Sequence, residues 1–249
     1  MNEPDGWASP RAVRRYVNIQ AEMVPGRDEV LSLVGELVAA GGAPRPEVLD
    51  LGGGFGEVTA AVLRHAPAAA VTLVDFSDEM LRRCRQRFAD DSRVRLVKHD
   101  LSQGLPAGCG PGRFDAVVSC FALHHLPPES QVLLYGQIRS ALRPAGRFVN
   151  GDRVEGESPA IAAWELDRWV TWMVGRAKEK FGLTRTAAEV RERQLQFDEE
   201  LGRTPGSLWT MQDELRRAGF ASVDCVYKNH TTAVVVALPT TAGEARADR

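Results

Sequence analysis

Val48-Leu49-Asp50-Leu51-Gly52-Gly53-Gly54-Phe55-Gly56 decides the fold of this chain. An apolar run ends in an acid and then breaks into glycines at alternate positions, Gly52, Gly54 and Gly56, with Gly53 between them. A helical pattern resumes at once with Val58, Ala61 and Val62. The order is strand, tight turn, helix start, which brings backbone amides against a nucleotide-like ligand. A Cβ in the turn would block both the reversal of the chain and the ligand's approach, which is why glycine stands there. The spacing is D-x-G-x-G-x-G, whereas a dinucleotide fingerprint reads G-x-G-x-x-G. A hydrogen-bond acceptor before the first glycine suits a ligand bearing an ammonium group and not a pyrophosphate.

Outward from this turn the pattern alternates. Strands are predicted over 46–51, 70–75, 93–98 and 113–120, with a fifth near 146–152. Helices fall between them at about 56–66, 77–88 and 128–142, the last opened by Pro127-Pro128. Such alternation implies a parallel sheet covered on both faces, and the nearly continuous apolar runs Val71 to Val74 and Ala116 to Val118 agree with it. A helix at about 208–218 ends in Arg216-Arg217-Ala218-Gly219. Two strand-like runs follow, Ser222 to Tyr227 and Thr231 to Leu238. Only Lys228-Asn229-His230 separates them, so an antiparallel hairpin is expected. Before the sheet, helices are predicted over 10–23 and 28–40. Residues 155–207 carry no strand signal and read as two helices, about 159–177 and 184–200, which we take as a lid.

The bulk properties exclude several classes. A formal net charge of −2 argues against a strong non-specific hold on nucleic acid. No apolar run approaches a membrane span, and the N-terminus lacks a signal-peptide core, so a cytoplasmic protein is expected. Cys84, Cys109, Cys120 and Cys225 are scattered, which fits free thiols and neither a disulfide nor a zinc site.

Asp50 to Gly56 resembles the first motif of class I S-adenosylmethionine (SAM) dependent methyltransferases, and a parallel sheet finished by an antiparallel hairpin is that family's topology. The resemblance implies an α/β, Rossmann-like doubly wound sheet, mostly parallel, with a C-terminal hairpin and a helical insertion. The expected division is 1–43, N-terminal helices over the cofactor; 44–154, the SAM-binding core; 155–207, the lid; 208–238, the last helix and antiparallel strands; and 239–249, a disordered tail.

Ligands of open α/β sheets bind beyond the C-terminal strand ends. Asp50 and Gly52, Gly53, Gly54 and Gly56 are placed for the amino-acid part of SAM. Asp75 ends the second strand about twenty residues beyond the glycine turn, where an acid accepts both ribose hydroxyls. Phe76 would lie against the adenine, with Met80 nearby. Asp100, with Leu101, matches the acid that family members place at the third strand end for the adenine amino group. Ser119-Cys120-Phe121 leads into Ala122-Leu123-His124-His125-Leu126-Pro127, which resembles the fourth methyltransferase motif of small-molecule enzymes. One histidine of this pair would orient SAM or relay a proton; a packed or capping histidine is the plain alternative. Adjacent histidines diverge in a turn and no further ligand stands at metal spacing, so no metal is expected.

Tyr16, in the N-terminal element, is a candidate contact to the methyl donor or acceptor. In the insertion, Ile161, Trp164, Arg168 and Trp172 fall near one helical face and read either as an aromatic wall around an acceptor or as packing. Gln20 to Gly26, the insertion and Leu215 to Gly219 also resemble, more weakly, the subgroup that includes carboxy-SAM synthase. There Arg193 would hold a carboxylate. The expected function is methyl transfer from SAM to a small-molecule acceptor, with modification of SAM itself or SAM binding without catalysis as alternatives. No nucleic-acid or membrane partner is expected, and the tryptophan-bearing insertion is compatible with a homodimer.

Overall fold

The computed structural model describes residues 24–200 and 206–239, with Val13 and Val17. The element order is α1 (Arg27–Ala39), β1 (Glu47–Leu51), α2 (Glu57–His65), β2 (Ala70–Asp75), α3 (Asp78–Arg87), β3 (Val94–Lys98), β4 (Phe114–Cys120), α4 (Pro128–Ala141), β5 (Leu142–Arg153), α5 (Pro159–Phe181), α6 (Ala187–Glu200), α7 (Leu208–Arg217), β6 (Ser222–Asn229) and β7 (Thr232–Leu238). Short 3-10 turns cover Leu101–Gln103 and Leu123–His125. Of the helix expected over 10–23, only Val13 and Val17 lie within the described residues, and both are helical.

The seven strands form one sheet in the order β3-β2-β1-β4-β5-β7-β6. β1 to β5 run parallel, while β7 pairs antiparallel with both β5 and β6. This is the mostly parallel, Rossmann-like sheet with its C-terminal antiparallel pair. Strand order reverses at β1 and β4, and a crevice opens at the C-terminal ends of strands at such a point.

Alternation along each strand divides the core between two faces. Val48, Val71, Val118 and Val149 pack with Val30 and Val34 of α1 and Val58 and Val62 of α2. Leu49, Leu51, Val117 and Phe148 pack on the other face with Tyr135 and Ile138 of α4 and Leu215 of α7. Asp50 therefore points, by the same alternation, toward α2 and away from α4.

Two details differ from the sequence reading. β6 runs on through Asn229, so the hairpin turns at His230-Thr231 and not at Lys228-Asn229-His230; His230 takes the left-handed φ of 46° that the tight turn requires. The insertion is helical as expected, but its flanks are tied by one bridge between Glu155 and Ser207. Among the described residues, no helix is long and apolar enough to cross a membrane.

Candidate cofactor and acceptor site

The glycine turn is built by close approach. A Cβ on Gly52, whose φ is +64°, would stand 2.4 Å from Cβ of Ala122, and one on Gly53 would stand 2.5 Å from Cγ of Leu73. The turn thus lies directly against the segment that leaves β4. Asp50 is wholly buried beneath it. Its Oδ2 accepts the Thr59 hydroxyl at 2.7 Å, while Oδ1 has no hydrogen-bond partner among the described residues. Burial pushes this carboxyl up to about 7, against the opposing Thr59 hydrogen bond. A buried acceptor oxygen without a donor is costly in isolation and fits a cationic ligand group such as the ammonium of SAM.

Asp75 reaches the same turn from β2. Its Oδ2 accepts the Gly54 N–H at 2.9 Å and its Oδ1 accepts the Ser77 N–H at 2.8 Å. Burial raises its carboxyl, and these backbone hydrogen bonds oppose that rise. Each carboxylate oxygen keeps a second lone-pair direction, enough for a pair of ribose hydroxyls. Half-buried Phe76 follows, and buried Met80 sets its sulfur 3.7 Å from where a Gly54 Cβ would lie. Asp100 is exposed, and its Oδ1 accepts the Ser102 N–H at 2.9 Å, capping the short turn that follows. Leu101 packs into the core on the α4 side.

The end of β4 departs further from the sequence reading. Ser119 is wholly buried and its hydroxyl donates to the Leu51 carbonyl at 2.8 Å. Its side chain ties β4 to β1. Cys120 is buried as well, and burial raises its thiol. Phe121 holds a φ of 54°, strained for a bulky side chain. The Arg27 guanidinium lies 4.8 Å from the centroid of the Phe121 ring, and its Nη2 pairs with Glu57 at 2.6 Å. Arg27 is buried at this strand end, so the first turn of α1 forms part of the site wall.

His124 and His125 follow, with ring centroids 4.0 Å apart. Nδ1 of His124 lies 2.5 Å from Oδ1 of Asp152, and the His124 backbone N–H donates to Oδ2 at 3.2 Å. Both side chains are buried. Sequence reasoning missed Asp152. The available signal for Asp152 was an acid in the last residues of β5, one position past the Gly151 that registers with Cys120.

Other expected residues are not brought to the strand ends. The inward face of α5 carries Glu165, Trp169, Val170 and Met173, whereas Trp164 is 52% exposed, Arg168 is exposed and Trp172 is half-buried. The tryptophan that packs is Trp169, with the Arg153 guanidinium 4.6 Å from its ring centroid. Arg193 is exposed on α6. Tyr16 lies outside the described residues.

Sheet order, the left-handed glycine turn and buried acids at the first two strand ends define a nucleotide-type α/β cleft of the class I methyltransferase kind. Residues 48–146 match a family model described as a methyltransferase domain. That stretch of the chain thus carries a methyltransferase domain, with the sheet order of the class I, SAM-dependent fold. It is 28% identical, over 95% of its length and 94% of the relative's, to carboxy-S-adenosyl-L-methionine synthase of Pseudomonas putida KT2440. In fold it resembles a putative O-methyltransferase from Nostoc punctiforme, with a TM-score of 0.61 and 18% identity over 91% of this chain. This chain spans 59% of the length of that one. It also resembles a chain of the complex between the Haloferax volcanii Trm112 methyltransferase activator and the putative methyltransferase, with a TM-score of 0.60 and 15% identity over 97% of this chain and 99% of that one.

Proposed function

We propose that this chain transfers the methyl group of SAM to a small-molecule acceptor held between the glycine turn and the 121–125 segment. The observation that carries the reading is the buried Asp50 carboxylate with its Oδ1 unpartnered among the described residues under a glycine turn, beside an Asp75 whose Oδ2 accepts the Gly54 N–H of the same turn. SAM supplies an electrophilic methyl on a sulfonium. What remains for the protein is to bind and align it, to set a nucleophile in line with the S–CH3 bond, and to exclude water. Asp50 takes the ammonium, Asp75 the ribose hydroxyls, and Phe76 and Asp100 the adenine. The net charge of −2 disfavours a nucleic-acid substrate.

The test is methyl transfer from labelled SAM to a panel of small metabolites, with demethylated SAM measured as the common product. Product formation that depends on acceptor supports the reading; SAM binding without turnover of any acceptor contradicts it and leaves a binding protein.

A second reading is favoured by the relatives: they are named carboxy-SAM synthases, and the alignment runs over 94% of the P. putida enzyme. Under it, SAM is itself the substrate and Arg193 moves inward or acts from a second subunit. Native mass spectrometry of freshly purified protein separates the two, because retained carboxy-SAM differs in mass from SAM. A homodimer fits the exposed Ile161, Trp164 and Leu195 of the insertion and is tested by sedimentation. A cytoplasmic site of action fits four unpaired thiols and is tested by fractionation.

A further inference from the structure

We propose that the groove between α1 and α2 is a second small-molecule site, separate from the cofactor cleft, that takes a phosphate group, free or esterified. The inference goes beyond the methyl-transfer reading and does not depend on it.

The groove encloses about 550 Å³. That lies inside the range of roughly 300–1,000 Å³ typical of small-molecule sites. Its floor is α2, whose Glu57, Ala60 and Arg64 stand at i, i+3 and i+7 and so share one face. α1 supplies Asp28, Leu31 and Ser32, and Arg87 closes the groove from the end of α3. Asp50, Asp75 and the glycines of the turn do not line it. It touches the cofactor side through Glu57, which binds Arg27 at 2.6 Å, and through Arg87, whose Nη1 reaches the Phe55 carbonyl at 3.5 Å.

The charge of the lining points to an anion. Arg82 and Arg83 pair with Glu79, Arg176 with Glu179 and Arg217 with Asp213, each within one helix. Arg64 and Arg87 have no carboxylate partner among the described residues, although Asp28 and Glu57 line the same groove. Glu57 is committed to Arg27. With that pair set aside, Arg64 and Arg87 outweigh Asp28. Arg87 is placed by rings and not by an acid: its guanidinium lies 5.8 Å from the Phe55 centroid and 5.9 Å from that of Phe88. Its Nε–Nη2 edge, the side of a guanidinium that meets two oxygens at once, has no acceptor among the described residues.

His65 adds a third group. The Ser32 hydroxyl donates to Oε1 of Glu36 at 2.9 Å, so its oxygen accepts from Nε2 of His65 at 3.1 Å. The ring is thereby fixed, with Nδ1 left for a ligand. Two guanidiniums and an imidazole call for more acceptor oxygens and more negative charge than a carboxylate offers. A phosphate near neutral pH presents both bare oxygens and a hydroxyl, which suits Nδ1 with or without a proton.

The test titrates inorganic phosphate, glycerol phosphate, phosphoethanolamine and acetate into the full chain, with ionic strength held by chloride and with and without saturating SAM. The imidazole NMR signals of His65 report binding, and those of His230 on the hairpin serve as control. Phosphate should shift the His65 signals saturably, leave those of His230 in place, and bind as well with SAM present as without it. Arg64→Gln and Arg87→Gln should each weaken phosphate at least about fivefold, and Arg64→Gln, at an exposed position, should leave the melting temperature unchanged. Tighter binding of an ester than of inorganic phosphate assigns the site to a phosphorylated metabolite; equal binding assigns it to free phosphate. Acetate binding as tightly as phosphate, no saturable shift of His65 in wild type, displacement of phosphate by SAM, or unchanged affinity in both variants overturns the inference. Phosphate binding by a chain that takes up no SAM would support this site and contradict the cofactor reading instead.

Discussion

Oδ2 of Asp75 accepts the Gly54 N–H at 2.9 Å, so the acid that ends β2 braces the glycine turn that ends β1, 21 residues earlier. One side chain thereby shapes the turn and presents lone pairs to the ligand. Asp75→Ala removes both. It should cost about 1–3 kcal/mol of stability through the orphaned Gly54 and Ser77 amides. SAM affinity should fall at least about tenfold. Thermal melts and calorimetry check the two effects separately.

Asp50 should make SAM binding proton-linked. Burial holds its carboxyl near 7, so the SAM-free protein carries a proton there in mildly acid solution. An ammonium partner favours the carboxylate. Titration in buffers of different ionisation enthalpy should therefore show close to one proton released per SAM at about pH 6. The same shift acts on stability. The folded-state value lies above the ordinary 3.8, so this group's contribution is fully present below about pH 4 and is lost as pH rises to about 7. The loss is on the order of 4 kcal/mol at most, and Asp50→Asn should abolish that slope while weakening SAM binding.

Gly52 and Gly175 predict opposite signs for the same change. Gly52→Ala forces a Cβ onto Ala122 at a φ of +64°, and should cost about 1–3 kcal/mol and abolish SAM binding. Gly175 lies within α5 with nothing near its Cβ position, so Gly175→Ala should stabilise by about 0.5–1 kcal/mol. Chemical denaturation measures both.

The insertion meets the hairpin through Lys228 with Glu165 and through Trp164 against His230. Trp169 packs with Val170 and Met173 under the Arg153 guanidinium, and Arg153 binds Asp198 of α6 through both carboxylate oxygens at 2.8 Å. Trp169→Ala should release the insertion, seen as faster proteolysis between α5 and α6 before the sheet unfolds. Trp164→Ala removes a half-exposed ring in edge contact with His230, 5.4 Å between centroids, and should cost less than Trp169→Ala.

The contrast between these two tryptophans marks where the sequence stops being readable. The alternating pattern from Val48 onward locates every strand of the sheet to within a few residues, because each apolar run can be buried in only one way. The glycine turn is legible for the same kind of reason, since only glycine tolerates its φ values. The inward face of α5 is not legible. Trp169 lies off the face that Trp164 and Trp172 share, and tertiary packing, not periodicity, selects it for burial. Asp152 was missed because a single acid near a strand's end is unremarkable until β4 and β5 are set in register. The partner of Ser119 was not legible either: its hydroxyl donates to the Leu51 carbonyl of β1, a contact that only the strand register reveals.

The central claim is that SAM binds through the acids at the ends of β1 and β2. Calorimetric titration of SAM into the full chain, beside Asp50→Asn and Asp75→Ala, tests it most directly. One SAM per chain, with at least about tenfold weaker binding to each variant, is the predicted result. Equal affinity in all three proteins, or no binding to wild type, would contradict it.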